Sequence, residues 1–193
     1  MPIEELVRIG QPRRIVRWNE GPVMHTPTTP VTEFDDELQY LIADMFATNA
    51  AAEGAGLAAP QIGVSLAVFV YDCYDHAGTR RTGVVCNPHV AVAEGSDRKL
   101  VELDEGCLSL PGAYRVVARP DIATCSGQDQ YGNIIEVSGG WTFGRCLQHE
   151  ADHLQGIVFA DRLSRRERKQ LHTAHDRVAA CYPVDWPIVP AHI

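Results

Sequence analysis

The chain of 193 residues is 45% hydrophobic and 22% charged, the proportions of an ordinary globular protein and enough length for one substantial core. A formal net charge of -8 argues against whole-surface attraction to DNA or to anionic lipid, and no apolar run approaches the length of a membrane span. The opening MPIEELVRIGQPRRIVRW has no secretory apolar stretch or cleavage site, so the six cysteines are expected as reduced thiols in a cytoplasmic protein.

A proline-punctuated opening precedes TPTTPVTEFDDELQYLIADMFATNAAAEGAG. There Phe34, Leu38, Leu41, Ile42, Met45 and Phe46 recur at helical spacing behind an acidic first turn of Asp35, Asp36 and Glu37. The spacing predicts a helix from about Phe34 to Ala52, with Gly54 as a stop. LAVFVYDC, TGVVCNPHVAVAEG and YRVVARPDIATCSGQDQYGNIIEVSGG then supply short β-rich runs broken by Gly, Asn and Pro, with QYGN as a turn. No helices alternate with them, so the strands are expected to pair antiparallel. Helical spacing returns in WTFGRCLQHEADHLQG, free of strong breakers between Gly144 and Gly156, and Ser164 with Glu167 forms a capping box opening a last helix. The expectation is a single α+β domain over residues 1–193. Irregular chain is expected over about residues 1–14 and about residues 183–193.

The run GAGLAAPQIG, Gly54 to Gly63, matches the weak form of a dinucleotide fingerprint. That motif needs a strand before the glycines and a helix after them. Here the order is inverted, Pro60 interrupts the expected helix, and no Lys-Ser or Lys-Thr follows. A glycine-rich helix stop leading into a strand accounts for the pattern. Its small side chains would equally let a peptide approach the backbone closely, and spacing does not decide between the two.

QHEADHLQG contains H-E-x-x-H, with His149 and His153 four residues apart. On a helix they share one face and can grip one divalent cation, but a catalytic centre of this kind takes three protein ligands and leaves a position for water. The extended zinc-peptidase motif fails, because its third histidine would fall at Phe159. Glu167 is better explained as a cap. Histidines 25, 76 and 89, several acids and Cys107 in LDEGCLSLPG all remain open as the third ligand. A buried apolar role for Cys107 is the simpler alternative.

GAGLAAPQIG, EGCLSLPG and QHEADHLQG, in that order, resemble the three motifs of the peptide deformylase family, and the resemblance runs from roughly Ile15 to Ala180. It implies antiparallel β-sheets packed around a central helix carrying H-E-x-x-H, with an N-terminal and a C-terminal helix. It further implies that Cys107, His149 and His153 bind the metal, that Glu150 is the base, and that the Gln61 side chain and the Leu108 backbone N–H stabilise an oxyanion. Gly56 and Gly106 would hold the peptide. The reaction implied is hydrolysis of the N-formyl group from formyl-methionyl nascent peptides. The family's usual cofactor is Fe(II); two imidazoles and a thiolate accept zinc, nickel or cobalt equally.

Other features have plainer readings. Asp152 is expected as an exposed helix carboxylate or one that orients its neighbours, and Cys146 as a core residue beside the site. Arg145 would border the methionine pocket or be solvated. His172 and His175 are expected at the surface, and Glu105 as support for a metal ligand. The basic run at Arg165, Arg166, Arg168 and Lys169 is expected as a solvated face, with weak transient ribosome contact as the second reading. The alternatives to a deformylase are a metal-dependent deacylase or peptidase on another acyl group, and a non-catalytic metal-binding protein. The stretch EGPVMHTP departs from the family's more regular opening, which leaves the subgroup open.

Overall fold

The computed structural model of the chain describes residues 1–192, so Ile193, the last residue of the expected irregular tail, lies outside the described residues. The opening residues are not irregular throughout: Ile3–Ile9 form helix α1. Its basis is tertiary. Leu6 is fully buried, and Gly10 sits where a β-carbon would meet the Ala43 carbonyl oxygen at 1.9 Å. Seven residues are too few for a visible periodicity, and packing against the next helix supplies what propensity does not. That helix, α2 (Asp36–Ala51), is opened by Asp35, whose carboxylate accepts the Leu38 backbone N–H at 3.0 Å.

Among the described residues seven strands follow in two antiparallel sheets, giving an α+β fold. The larger sheet has the order β1 (Gly56–Ala58), β2 (Val68–Tyr74), β3 (Arg80–Val92), β6 (Ile122–Gln128) and β7 (Ile134–Gly140). The smaller is the hairpin β4 (Leu100–Cys107) with β5 (Leu110–Pro120). β1 is an edge strand, paired only through Gly56↔Tyr71, Leu57↔Val70 and Ala58↔Phe69. The register of β4–β5 shifts between Gly106 and Cys107, and Cys107 then faces Leu110 across a turn at Leu108 and Ser109. A bulge at a hairpin tip re-aims the side chain beside it.

Helix α3 (Trp141–Leu154) begins where helical spacing returns in the sequence and packs against β1, β2, β3, β6 and β7. Helix α4 (Arg165–Val178) is capped by Ser164, whose hydroxyl accepts the Glu167 N–H while Glu167 reaches back to the Ser164 N–H. Three apolar clusters lie between α2 and the sheet, between α3 and the sheet, and under the β4–β5 hairpin against α4. An extended segment clamps the parts bearing the motifs together: Val16 donates to Gln61 O at 2.8 Å and Trp18 to Ser109 O at 3.0 Å. The tail past Pro183 has neither helix nor strand among the described residues, yet Trp186 is buried in the first cluster.

Candidate metal centre and cleft

One helical turn along α3 brings His149 and His153 together, with their Nε2 atoms 3.1 Å apart. The hairpin tip delivers Cys107, whose Sγ lies 3.3 Å from His153 Nε2. These three donors lie within 4.8 Å of one another, the sole such grouping of His, Cys, Asp or Glu found among the described residues. Histidines 25, 76 and 89 stand elsewhere, and His25 Nε2 meets the Trp18 carbonyl at 2.6 Å. Two imidazole nitrogens and a sulfur converging this closely are a donor set that fits one divalent cation.

The second nitrogen of His149, Nδ1, lies 2.7 Å from Glu105 Oε1. As a donor there it leaves the Nε2 lone pair turned toward the other two donors. Glu105 is itself gripped by Arg119, with Nε at 2.7 Å and Nη2 at 2.6 Å, and by Arg145 Nη1 at 2.7 Å. Arg119 continues to Asp152 at 3.0 Å, and Asp152 is bound in turn by Arg162. Burial alone would raise the Glu105 carboxyl, but Arg119 and His149 hold it well below the ordinary carboxylate range. At His149 burial opposes a charged ring, yet Cys107 and Glu105 push it well above its usual value. His153, deprived of water and facing His149, is pushed down and stays neutral.

Glu150 projects from α3 between the two histidines. It is buried, its Oε2 has no hydrogen-bond partner, and burial pushes its carboxyl up to about 7. Opposite stands Gly56, where a β-carbon would lie 2.9 Å from Glu150 Oε1 and 2.7 Å from Cys146 Sγ. Glycine is needed there for β1 to approach α3, a structural reason that coexists with any role toward peptide. The buried Gln61 amide is oriented at both ends. Its Oε1 accepts the Ala58 N–H at 2.8 Å, and its Nε2 lies 3.6 Å from Cys107 Sγ and 3.4 Å from Ser109 Oγ. Leu108 occupies the hairpin turn. A β-carbon at Gly106 would meet the Tyr114 ring at 2.5 Å. Gly56, Gln61, Gly106, Leu108 and Cys146 border one cleft of about 620 Å3, with Cys107, His149 and Glu150 on its wall.

The structure separates the alternatives at Arg145 and Asp152. Arg145 borders the cleft and is not solvated: besides Glu105 it donates to the carbonyls of Val117 and Val101, each at 2.9 Å. Asp152 is not exposed but holds its neighbours, a buried carboxylate shared by two arginines. Cys146 packs in the second apolar cluster and also reaches the cleft, donating to Ala55 O at 3.4 Å. His175 is tied to Pro111 O at 2.9 Å and His172 stacks on Trp18 at 4.2 Å, so neither is a free surface residue. Sequence reasoning missed Arg119, which lies on β5 with no local motif around it. The one available signal was its place in the strand, where Arg119 alternates with the buried Val117 rather than with the outward Tyr114 and Val116. It also missed the tail's place in the cleft.

Residues 12–169 match the sequence profile of the family described as polypeptide deformylase. Over 149 residues the chain is 57% identical to peptide deformylase 1 of Streptomyces avermitilis, covering 77% of this chain and 69% of that protein. It is 48% identical to a peptide deformylase of Mycolicibacterium paratuberculosis, covering 74% and 77%. Among solved structures, the peptide deformylase of Legionella pneumophila superposes with a TM-score of 0.77 at 38% identity, covering 90% of this chain and 100% of that one. That of Synechococcus elongatus, in complex with actinonin, gives 0.75 at 35%, covering 86% and 85%.

Proposed function

The chain belongs to the peptide deformylase family, and on that premise we propose how its own residues remove the formyl group from the N-terminal formyl-methionine of new proteins, with release of formate. The observation that carries this reading is the convergence of Cys107, His149 and His153 beside a buried, half-unpaired Glu150 on the wall of an open cleft.

Cys107 Sγ and the Nε2 atoms of His149 and His153 would hold the metal. The chemistry a divalent cation supplies there is Lewis-acid polarisation of the formyl carbonyl and acidification of a water molecule. Glu150, with one carboxylate oxygen free, would take a proton from the attacking water and return it to the leaving amine. A carboxyl raised to about 7 is matched to both halves of that exchange near neutral pH. Gln61, its amide fixed by Ala58, turns Nε2 toward the developing oxyanion, and the Leu108 backbone N–H at the hairpin tip is the second donor. The free edge of β1 at Gly56 and the backbone at Gly106 hold the peptide through main-chain hydrogen bonds. Glu105, Arg119 and Asp152 do no chemistry; they keep His149 in one tautomer and one orientation.

The catalytic domain spans the whole chain in this reading, with antiparallel sheets packed around a central helix that carries H-E-x-x-H. Packing of α3 against five strands supports it. Family membership implies Fe(II), although the donor set suits zinc, nickel or cobalt as well. A cytoplasmic place is supported by free thiols at all six cysteines and by the lack of any helix long and apolar enough to cross a membrane among the described residues. Weak ribosome contact through the exposed arginines and lysine of α4 is the partner reading.

The test is formate release from a formyl-Met tripeptide by protein purified anaerobically with Fe(II), beside Glu150→Ala and an acetyl-Met control. Release that requires Glu150 and spares the acetyl peptide supports the reading. Equal hydrolysis of both peptides would point to a broader deacylase, and zinc in an air-stable, fully active protein would overturn the iron assignment.

A further inference from the structure

The tail from Tyr182 to Ala191 does not trail away from the molecule. Tyr182, Trp186, Pro187, Pro190 and Ala191 border the same cleft as Cys107, His149 and Glu150. We propose that this tail is the wall that selects the peptide residues following formyl-methionine, favouring apolar and aromatic side chains over acidic ones. The inference rests on the deformylase reading above.

Position and rigidity argue for it. The tail is fastened at both ends and in its middle: Ile15 donates to Trp186 O at 3.0 Å, Arg14 to Val184 O at 2.9 Å, and His192 to Cys181 O at 2.8 Å. Arg17 donates to the carbonyls of Tyr182 and Pro183, and its guanidinium lies 5.4 Å from the Trp186 ring centre. The Tyr182 and Trp186 rings meet edge to face at 5.3 Å. Trp186 and the partly buried Tyr182 and Ala191 belong to the same apolar cluster as Leu108, the residue at the hairpin tip. A wall held this way is pre-organised, so contact with it costs little ordering.

Size and charge argue for it as well. A cleft of about 620 Å3 lies well inside the range of about 300–1,000 Å3 that encloses drug-sized ligands, so it has room beyond a formyl-methionyl group. The tail contributes no charged side chain to it, whereas Glu53 and Asp104, both exposed, border it. Arg145 borders it too, but its guanidinium is engaged by Glu105 and two carbonyls. An acidic peptide side chain therefore meets like charge and an apolar surface, while an aromatic one stacks on proline and aromatic faces. The tail lies beyond residues 12–169, the part matched to the family.

The test measures kcat/KM for the metal-loaded protein on two peptide series, formyl-Met-X-Ala and formyl-Met-Ala-X, with X as Phe, Asp or Lys. The wild type is expected to prefer Phe over Asp in at least one series. Ala191→Lys should narrow that preference and Ala191→Glu should widen it, each by about three- to fivefold, the scale of one half-exposed charge contact. Both shifts should shrink in high salt. Opposite shifts from opposite charges at one position are not produced by a merely structural tail. Trp186→Ala should flatten the selectivity, but it can unfold the protein, so the Ala191 pair with unchanged Tm decides. Formate release from every peptide without discrimination, or equal ratios in both Ala191 variants, overturns this inference and leaves the deformylase reading standing. No formate from any formyl peptide overturns the deformylase reading, and the tail's role falls with it.

Discussion

Helices α3 and α4 are each 14 residues long and both are rich in polar side chains, yet they stand in opposite relation to water. α3 buries Phe143 through Glu150 and Asp152 through Leu154, including an arginine, two carboxylates and two histidines. α4 buries Leu171 alone. In α4 the charges face solvent and the helix is held by its cap and one apolar stripe. In α3 each buried charged group except Glu150 is tied to a partner of opposite sign: Arg145 to Glu105, Asp152 to Arg119 and Arg162. The exception is the residue assigned as the base. A buried carboxylate with a free oxygen is costly unless something is meant to meet it.

The largest effect should come from that exception. Glu150→Ala is expected to lower kcat by about 10²–10⁴, the range for a positioned acid–base group, with metal content and Tm little changed. Steady-state formate release and metal analysis check it. If Tm fell sharply instead, Glu150 would belong with the paired charges and the contrast within α3 would be lost.

Arg119→Met comes next, because it removes the one arginine that two buried carboxylates share. Breaking a buried pair typically costs about 3–5 kcal/mol, and loss of support behind a metal-binding histidine about 10–100-fold in metal affinity. Thermal melts and competition with a chelator read the two separately. Glu105 titrates below its ordinary value in the folded protein, so its stabilisation is present above the unfolded value and is lost as pH falls through the folded one. The stability gap between wild type and variant should therefore be full at neutral pH and narrow once pH falls below about 4.3. Gln61→Ala, aimed at the oxyanion without touching these charges, should cost about 10²–10³ in kcat and leave the pH dependence of stability as it was.

How much of this was legible depends on how local the cause is. The α4 capping box, the α2 start at Asp35 and the spacing of His149 and His153 are set within a few residues, and the sequence pattern shows them. Cys107 became readable as a ligand only through the resemblance of its motif, since its place beside His153 depends on a bulge at the tip of β4–β5. Arg119 and the tail were not legible, and at Arg145 the sequence left a place beside the pocket and a solvated one both open. Of the two arginines in β5, nothing local says that Arg119 is the buried one until a carboxylate 14 residues away is seen to face it. The prolines of DWPIVPAHI read as irregular chain, which they are, but irregularity does not reveal what the chain covers. Helix α1 escaped notice because Leu6 and Gly10 have meaning only against α2.

The smallest effects belong to α4, where they sharpen the contrast. Ser164→Ala removes the hydroxyl that caps the Glu167 N–H and should cost about 1 kcal/mol, visible as a modest fall in Tm with activity retained. Neutralising Arg165, Arg166 and Lys169 together should change stability by no more than about 0.5 kcal/mol per site, because these exposed side chains are not tied into the buried network. Any larger consequence must then come from outside the molecule. Sedimentation with ribosomes at low and high salt separates the cases: a salt-sensitive association lost in the triple variant supports a docking role, while unchanged sedimentation leaves α4 as a solvated helix whose charges serve solubility alone.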